Sequence, residues 1–287
     1  MSSDDVAAAV SALPDKSSAL DPLPVPVLKS VADLLVPFLT YLFNLSLTAG
    51  HVPAGFKNSF ITPVIKKPGL DDDSPSSYRP ISNLPVISKL LERLVARQLL
   101  TYLDTHRLLP ATQFRFRPGH STETTTIRVL SDLLDSVDRS DTAVLVLLDL
   151  TVPFDTVDYE ILLKRLQVTF DVDDVALTWF SSYLAGRKQH VRCGGSSSRN
   201  TDVICGVPQG LVLGPILFII YTADLAWIVA DHGLSLHLYA DDSQIYGTCP
   251  PTATSSLPAD IFSAVDDIST WMRCNQLQLN AEKTEVM

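Results

Sequence analysis

The sequence predicts an α+β protein built on an antiparallel sheet, and three patterns carry that prediction. Residues 143–148 are an unbroken apolar run of strand length, as a strand covered on both faces requires. Leu234, Leu236 and Leu238 alternate with Ser235, His237 and Tyr239, and residues 243–246 can return as their hairpin partner. Around both, apolar residues recur at helical spacing, and the resulting alternation of strands and helices fits an antiparallel sheet rather than a parallel doubly wound one. At 287 residues and 46% hydrophobic content, the chain suffices for one large domain or two smaller ones with a sizeable core.

Residues 1–21 are small and polar and read as a flexible tail, after which Pro22, Pro24 and Pro26 open a helical run ending near Gly50. Residues 34–47 within that run are the most membrane-like stretch, but Pro37, Asn44 and a length short of the roughly 20 residues of a span make it a packed helix. No membrane partner is expected. The acidic segment 71–77 is an exposed loop. Ile87, Leu90, Leu91, Leu94 and Val95, and again Ile127, Leu130, Leu133, Leu134 and Val137, mark two helices with core-facing stripes. Beyond the 143–148 strand and Asp149, helices follow at 159–166 and at 173–184, the second stopped by Gly186. A hairpin then turns at Gly194-Gly195. Next come a glycine-flanked loop at 206–210, a long helix from 215 to 230, the 234–246 hairpin and a helix near 261–274. The 250–258 stretch is a low-complexity loop.

Two acidic sites stand out. The hairpin turns at Tyr239-Ala240-Asp241-Asp242, where acids by themselves read as a solvated turn; Asp149, taken alone, reads as a helix N-cap or turn acid. Paired acids on a rigid hairpin are costly unless a cation sits between them. An apolar strand ending in Asp, followed by a hairpin carrying Asp-Asp, is what two-metal nucleotidyl transfer requires, with carboxylates from separate strands holding two Mg²⁺ ions about 3.5–4 Å apart. Magnesium takes oxygen ligands and needs no His or Cys. The candidate ligands are Asp149, Asp241 and Asp242.

Leu148-Asp149-Leu150 with Phe154-Asp155-Thr156-Val157-Asp158, then Gly206-Val207-Pro208-Gln209-Gly210 with Leu213-Gly214-Pro215-Ile216-Leu217-Phe218, then Tyr239 to Asp242, resemble in order the three palm motifs of the reverse transcriptase domain of LINE-type, non-LTR retrotransposons. Ile61-Thr62-Pro63-Val64-Ile65-Lys66-Lys67-Pro68 and Tyr78-Arg79-Pro80-Ile81-Ser82-Asn83-Leu84-Pro85 look like the finger motifs. His120-Ser121-Thr122-Glu123-Thr124 matches a further signature, and residues 277–285 resemble the segment that carries a lysine near the incoming nucleotide. The likeness runs from about Asp21 to Met287. It implies right-hand polymerase fingers, with N-terminal helices, over residues 22–140, and a palm with an antiparallel sheet over 141–287, the thumb being missing. It further implies two Mg²⁺ ions, an RNA template, a DNA primer and deoxynucleotide substrates. Asp149, Asp241 and Asp242 would be the metal-binding catalytic acids, and Lys283 would protonate or neutralise the leaving group. Lys67 and Arg79 would clamp the triphosphate, the arginine through a bidentate fork. Gln209 would hydrogen-bond a base or sugar beside the permissive backbone of Gly210, and the Phe154 ring would occupy the space of a ribose 2′-hydroxyl.

Some residues depart from the family pattern. Val152 and Pro153 replace small residues beside the metal site, where proline fixes φ and removes an N–H; Leu211 stands where a serine is usual; residues 113–117 are bulky. The net charge of −10 opposes the positive field expected of a protein that grips phosphate backbones, and the basic stretches Lys89-Arg93-Arg97 and Arg115-Arg117 are sparse. The alternative reading is accordingly a truncated, catalytically inactive remnant that keeps the fold. Four scattered cysteines suit a reducing compartment. The acidic start lacks the features of a signal peptide, so an intracellular, non-secreted protein is expected.

Overall fold

The computed structural model describes residues 1–15, 21–113, 121–207, 210–239, 242–254 and 256–287. In chain order its elements are α1 (Ser3–Ser11), α2 (Val25–Ser30), α3 (Ala32–Thr48), β1 (Asn58–Ile65), β2 (Tyr78–Asn83), α4 (Val86–Thr105), α5 (Thr122–Asp138), β3 (Thr142–Leu148), α6 (Tyr159–Val168), α7 (Asp174–Leu184), β4 (Arg187–Cys193), β5 (Ser196–Ser197), β6 (Thr201–Val203), α8 (Gly214–Tyr221), α9 (Leu225–Asp231), β7 (Ser235–Tyr239), β8 (Asp242–Cys249), α10 (Leu257–Cys274) and β9 (Glu285–Val286). This mixed α/β chain divides into two units that interleave in sequence. One comprises Met1–Tyr102 and Leu162–Pro215, the other Leu103–Ile161 and Ile216–Met287.

In the first unit the expected tail is corrected, because residues 3–11 are helical. Ser2 Oγ accepts the Asp5 N–H and the Asp5 carboxylate accepts the Ser2 N–H, a capping box that fixes the start. Val6 and Val10, one turn apart, are buried. α3 buries Val36, Leu39 and Phe43 but leaves Leu34, Phe38 and Tyr41 exposed. α4 buries Leu90, Leu91, Leu94 and Val95 as the periodicity predicts. The sheet runs β2-β1-β4-β5 with β6 also on β4; β1 is antiparallel to β2 and parallel to β4. The predicted turn at Gly194-Gly195 joins β4 to β5, both glycines taking the positive φ that a tight hairpin demands.

The second unit holds an entirely antiparallel sheet in the order β7-β8-β3-β9. β3 buries Val146 and Leu148 while its other residues are half-buried, so it is less covered than its apolar run predicts. The stripe assigned to α5 is also corrected: Ile127, Leu130, Leu134 and Val137 are exposed. The helix turns Val129 and Ser136 inward instead, and Asp132 accepts a 2.6 Å hydrogen bond from Tyr246 on β8. The long helix expected over 215–230 is two helices. Thr222 bonds its hydroxyl back to the Phe218 carbonyl and Leu225 bonds to the Thr222 carbonyl, which closes α8 and starts a new turn. The 18 residues Gly214–Asp231 are long and apolar enough to cross a bilayer, but most are buried within the protein.

Candidate active site

β3 and β8 pair so that Leu148 lies opposite Ser243. Carried one residue further, that register sets Asp149 across from Asp242. Directly opposed like charges destabilise a strand pair, so the position demands cationic company. Asp149, Asp242, Tyr239, Ser243, Lys283 and Glu285 line a common cavity of about 250 Å³.

The approach of residues 278–286 fixes Asp149 in place. Its carbonyl accepts the Asn280 N–H at 2.9 Å, and its Oδ2 accepts Asn280 Nδ2 at 3.1 Å. The Lys283 ammonium stands 3.5 Å from the same oxygen. Leu150 bridges to Leu279, the Thr151 N–H donates to the Gln278 carbonyl at 2.9 Å, and β9 then joins β3. Oδ1 of Asp149 has no hydrogen-bond partner among the described residues. Asn280 and Glu285 carry no role in the sequence reading; what marks them is their place beside the lysine.

After Asp149 the chain turns sharply. Val152 adopts φ 41° and ψ 51°, a left-handed conformation, and the buried Pro153 opens a single 3-10 turn ending at Asp155. The Phe154 ring, half-buried, packs on Phe218 with centroids 4.7 Å apart. Asp158 accepts the Ile161 N–H at 3.0 Å and so caps α6.

The other nucleotide-binding candidates lie in the first unit. Lys67 follows β1 and Arg79 lies on β2; both are exposed, and the antiparallel pairing of Val64 with Arg79 brings them to the same end of that hairpin. Gly210 has φ 95°, and a Cβ there would stand 2.7 Å from the Ser82 carbonyl oxygen of β2. Leu211, where the family pattern has serine, is buried. Of the basic residues on α4, Arg97 pairs with Asp5 at 2.6 Å. Lys89 and Arg93 instead line a cavity of about 260 Å³ with His190 and Arg192.

Asp241 and Gln209 lie outside the described residues, as do His120, Arg115 and Arg117. Among the described residues no group of three His, Cys, Asp or Glu side chains is close enough to hold a metal ion. Asp149 and Asp242 nevertheless offer hard oxygen donors, and no His or Cys lines their cavity among the described residues, a set that fits Mg²⁺.

The chain matches the family model described as reverse transcriptase (RNA-dependent DNA polymerase) over residues 65–287. It is 33% identical to the probable RNA-directed DNA polymerase from transposon BS of Drosophila melanogaster, over 98% of this chain and 31% of that protein. It is 32% identical to the probable RNA-directed DNA polymerase from transposon X-element of the same species, over 90% and 28% of the two chains. It is also 32% identical to the RNA-directed DNA polymerase from mobile element jockey of Drosophila funebris, over 94% and 30%. This chain thus spans about three-tenths of the length of these relatives. Together with the ordered motifs of the sequence, these matches establish that the chain belongs to the reverse transcriptase family, as a domain of the LINE-type, non-LTR retrotransposon kind.

Proposed function

We propose that this domain is an RNA-directed DNA polymerase that joins deoxynucleotides to a primer 3′-hydroxyl on an RNA template. The observation that carries the reading is the strand-end pair Asp149 and Asp242 on one cavity with Lys283. The antiparallel sheet of the second unit is read as the palm and the β1–β2 hairpin as part of the fingers. Asp149, Asp242 and Asp241 are the residues that would hold two Mg²⁺ ions, which when bound activate the attacking hydroxyl and stabilise the leaving oxygen.

The protein's own groups divide the remaining work. Asn280 orients the Asp149 carboxylate through Oδ2 and leaves Oδ1 available. Lys283 supplies a positive charge, and a proton, toward the departing pyrophosphate. Phe154, braced by Phe218, is the wall against a 2′-hydroxyl, which favours deoxynucleotides. Lys67 and Arg79 clamp the triphosphate, while Gln209 and Gly210 meet the base or sugar with side chain and bare backbone. Lys89, Arg93 and Arg192, which line one cavity, are cations that would meet template phosphates.

The test is primer extension by the purified protein on a primed RNA template with Mg²⁺ and deoxynucleotides. Extension is expected, and Asp149→Ala or Asp241→Ala should each abolish it. Extension that survives either substitution would sink the assignment.

A further inference from the structure

Glu92 lies in the apolar stripe of α4 and is 2% exposed. A carboxylate so placed is costly unless its oxygens are engaged, and both are. Oε1 accepts the Tyr183 hydroxyl at 2.7 Å, and Oε2 accepts the backbone N–H of Val212 at 2.8 Å. Burial pushes its carboxyl pKa up, opposed first by the Tyr183 hydroxyl and then by the Val212 N–H and the Arg187 charge.

Tyr183 is itself held firmly. The Trp179 ring stacks on it at 5.6 Å and 9°, the Arg187 guanidinium carbon lies 4.8 Å from its ring centre, and Arg187 Nη1 donates to its carbonyl at 3.2 Å. Arg187 is 1% exposed, and its Nε and Nη2 have no hydrogen-bond partner among the described residues. One buried polar cluster therefore ties α4, α7 and β4 to the segment that follows Gly210. That segment has little freedom elsewhere: Gly210 is fitted against the Ser82 carbonyl, and Leu211 and Leu213 are buried at 4% and 0%. The apolar contacts fix which side chains point inward. The Val212 N–H bond to Glu92 is what pins the backbone between them.

We propose that Glu92 is a positioning residue for polymerisation: held by Tyr183 and Arg187, it fixes the 210–213 backbone in the shape that receives the incoming nucleotide. The proposal rests on the reading of Gly210 as a nucleotide contact. Glu92→Leu should speed amide exchange across residues 210–213 and raise the KM for deoxynucleotide by about tenfold or more, the effect of losing a hydrogen bond to a charged acceptor. The KM for primer-template should stay unchanged. Glu92→Gln, whose amide can accept from Val212 and donate to Tyr183, should restore both values toward wild type. Should Glu92→Leu fail to fold, Tyr183→Phe, which removes one anchor of the carboxylate, should show the same two changes in smaller measure.

Unchanged exchange across 210–213 in a folded variant would overturn the anchoring role whatever happens to KM. Faster exchange with an unaltered deoxynucleotide KM would instead overturn the nucleotide reading of the loop, and the positioning role with it. A proportional loss in every kinetic constant, with no rescue by glutamine, would reduce Glu92 to a purely structural residue and refute the proposal.

Discussion

Val152 offers a sign test of the turn that follows Asp149. A left-handed backbone costs an L-residue roughly 1–2 kcal/mol, a β-branched side chain there is a marked outlier, and the following proline narrows the choice further. The side chain is 56% exposed, so little packing offsets the strain. The clean comparison is Val152→Ala against Val152→Gly, since both discard the isopropyl group and differ chiefly in backbone freedom. At an ordinary right-handed position glycine is worse than alanine by about 0.5–1 kcal/mol. Here relief of about 1–2 kcal/mol should outweigh that loss and leave glycine ahead by about 0.5–1 kcal/mol. For a chain of this size that is roughly 1–4 °C in Tm, readable by circular dichroism or differential scanning fluorimetry. A Val152→Gly protein that melts at or below Val152→Ala would refute the reasoning and place Val152 in an unstrained turn.

Gly210→Ala should destabilise by about 1–3 kcal/mol, because it puts a Cβ 2.7 Å from the Ser82 carbonyl oxygen and forces alanine to φ 95°; an unchanged denaturant midpoint would show that the loop does not lie as described. Lys283→Ala should alter stability by less than about 1 kcal/mol, since its ion pair with Asp149 is exposed, yet lower the extension rate by about a hundredfold if the lysine acts as a general acid. A rate within about threefold of wild type would remove Lys283 from the chemistry. Burial holds the His237 pKa below its usual 6.5. Its neutral form therefore contributes stability that is complete above pH 6.5 and is lost as pH falls through the depressed folded value. Wild-type Tm should accordingly drop more between pH 7 and 5 than that of His237→Phe, and parallel slopes would contradict this.

What the sequence made legible was whatever a short period or a motif writes locally. The alternation of Leu234, Leu236 and Leu238 located β7, the run at 143–148 located β3, and the order of motifs led to the family. Pairings over long separations left no such mark. Nothing near Phe60 announces that β1 runs parallel to residues 188–191, and the mixed sheet they form was not foreseen. The α5 stripe misled because periodicity reports an apolar face but not whether another element covers it; Val129 and Ser136 face inward instead. α1 hid behind small residues, although the Ser2 and Asp5 capping box and the Val6–Val10 spacing were there to read. At the site, Asp149 was found from its strand, whereas Asn280 and Glu92 act through contacts 131 and 120 residues distant. A glutamate in an apolar helical stripe was the one local signal of the latter.

The separation between Asp149 and Asn280 also sets an order of manufacture. On a ribosome adding 5–20 residues per second, the 131 positions between them take about 7–26 s to make. For that interval β3 has no β9 beside it, and its open edge presents unpaired backbone groups to any neighbouring strand. The carboxylate that would do the chemistry is thus translated well before the residues that anchor it. A ribosome that pauses or a nascent chain released early near residue 278 would therefore leave Asp149 unanchored and an adhesive strand exposed.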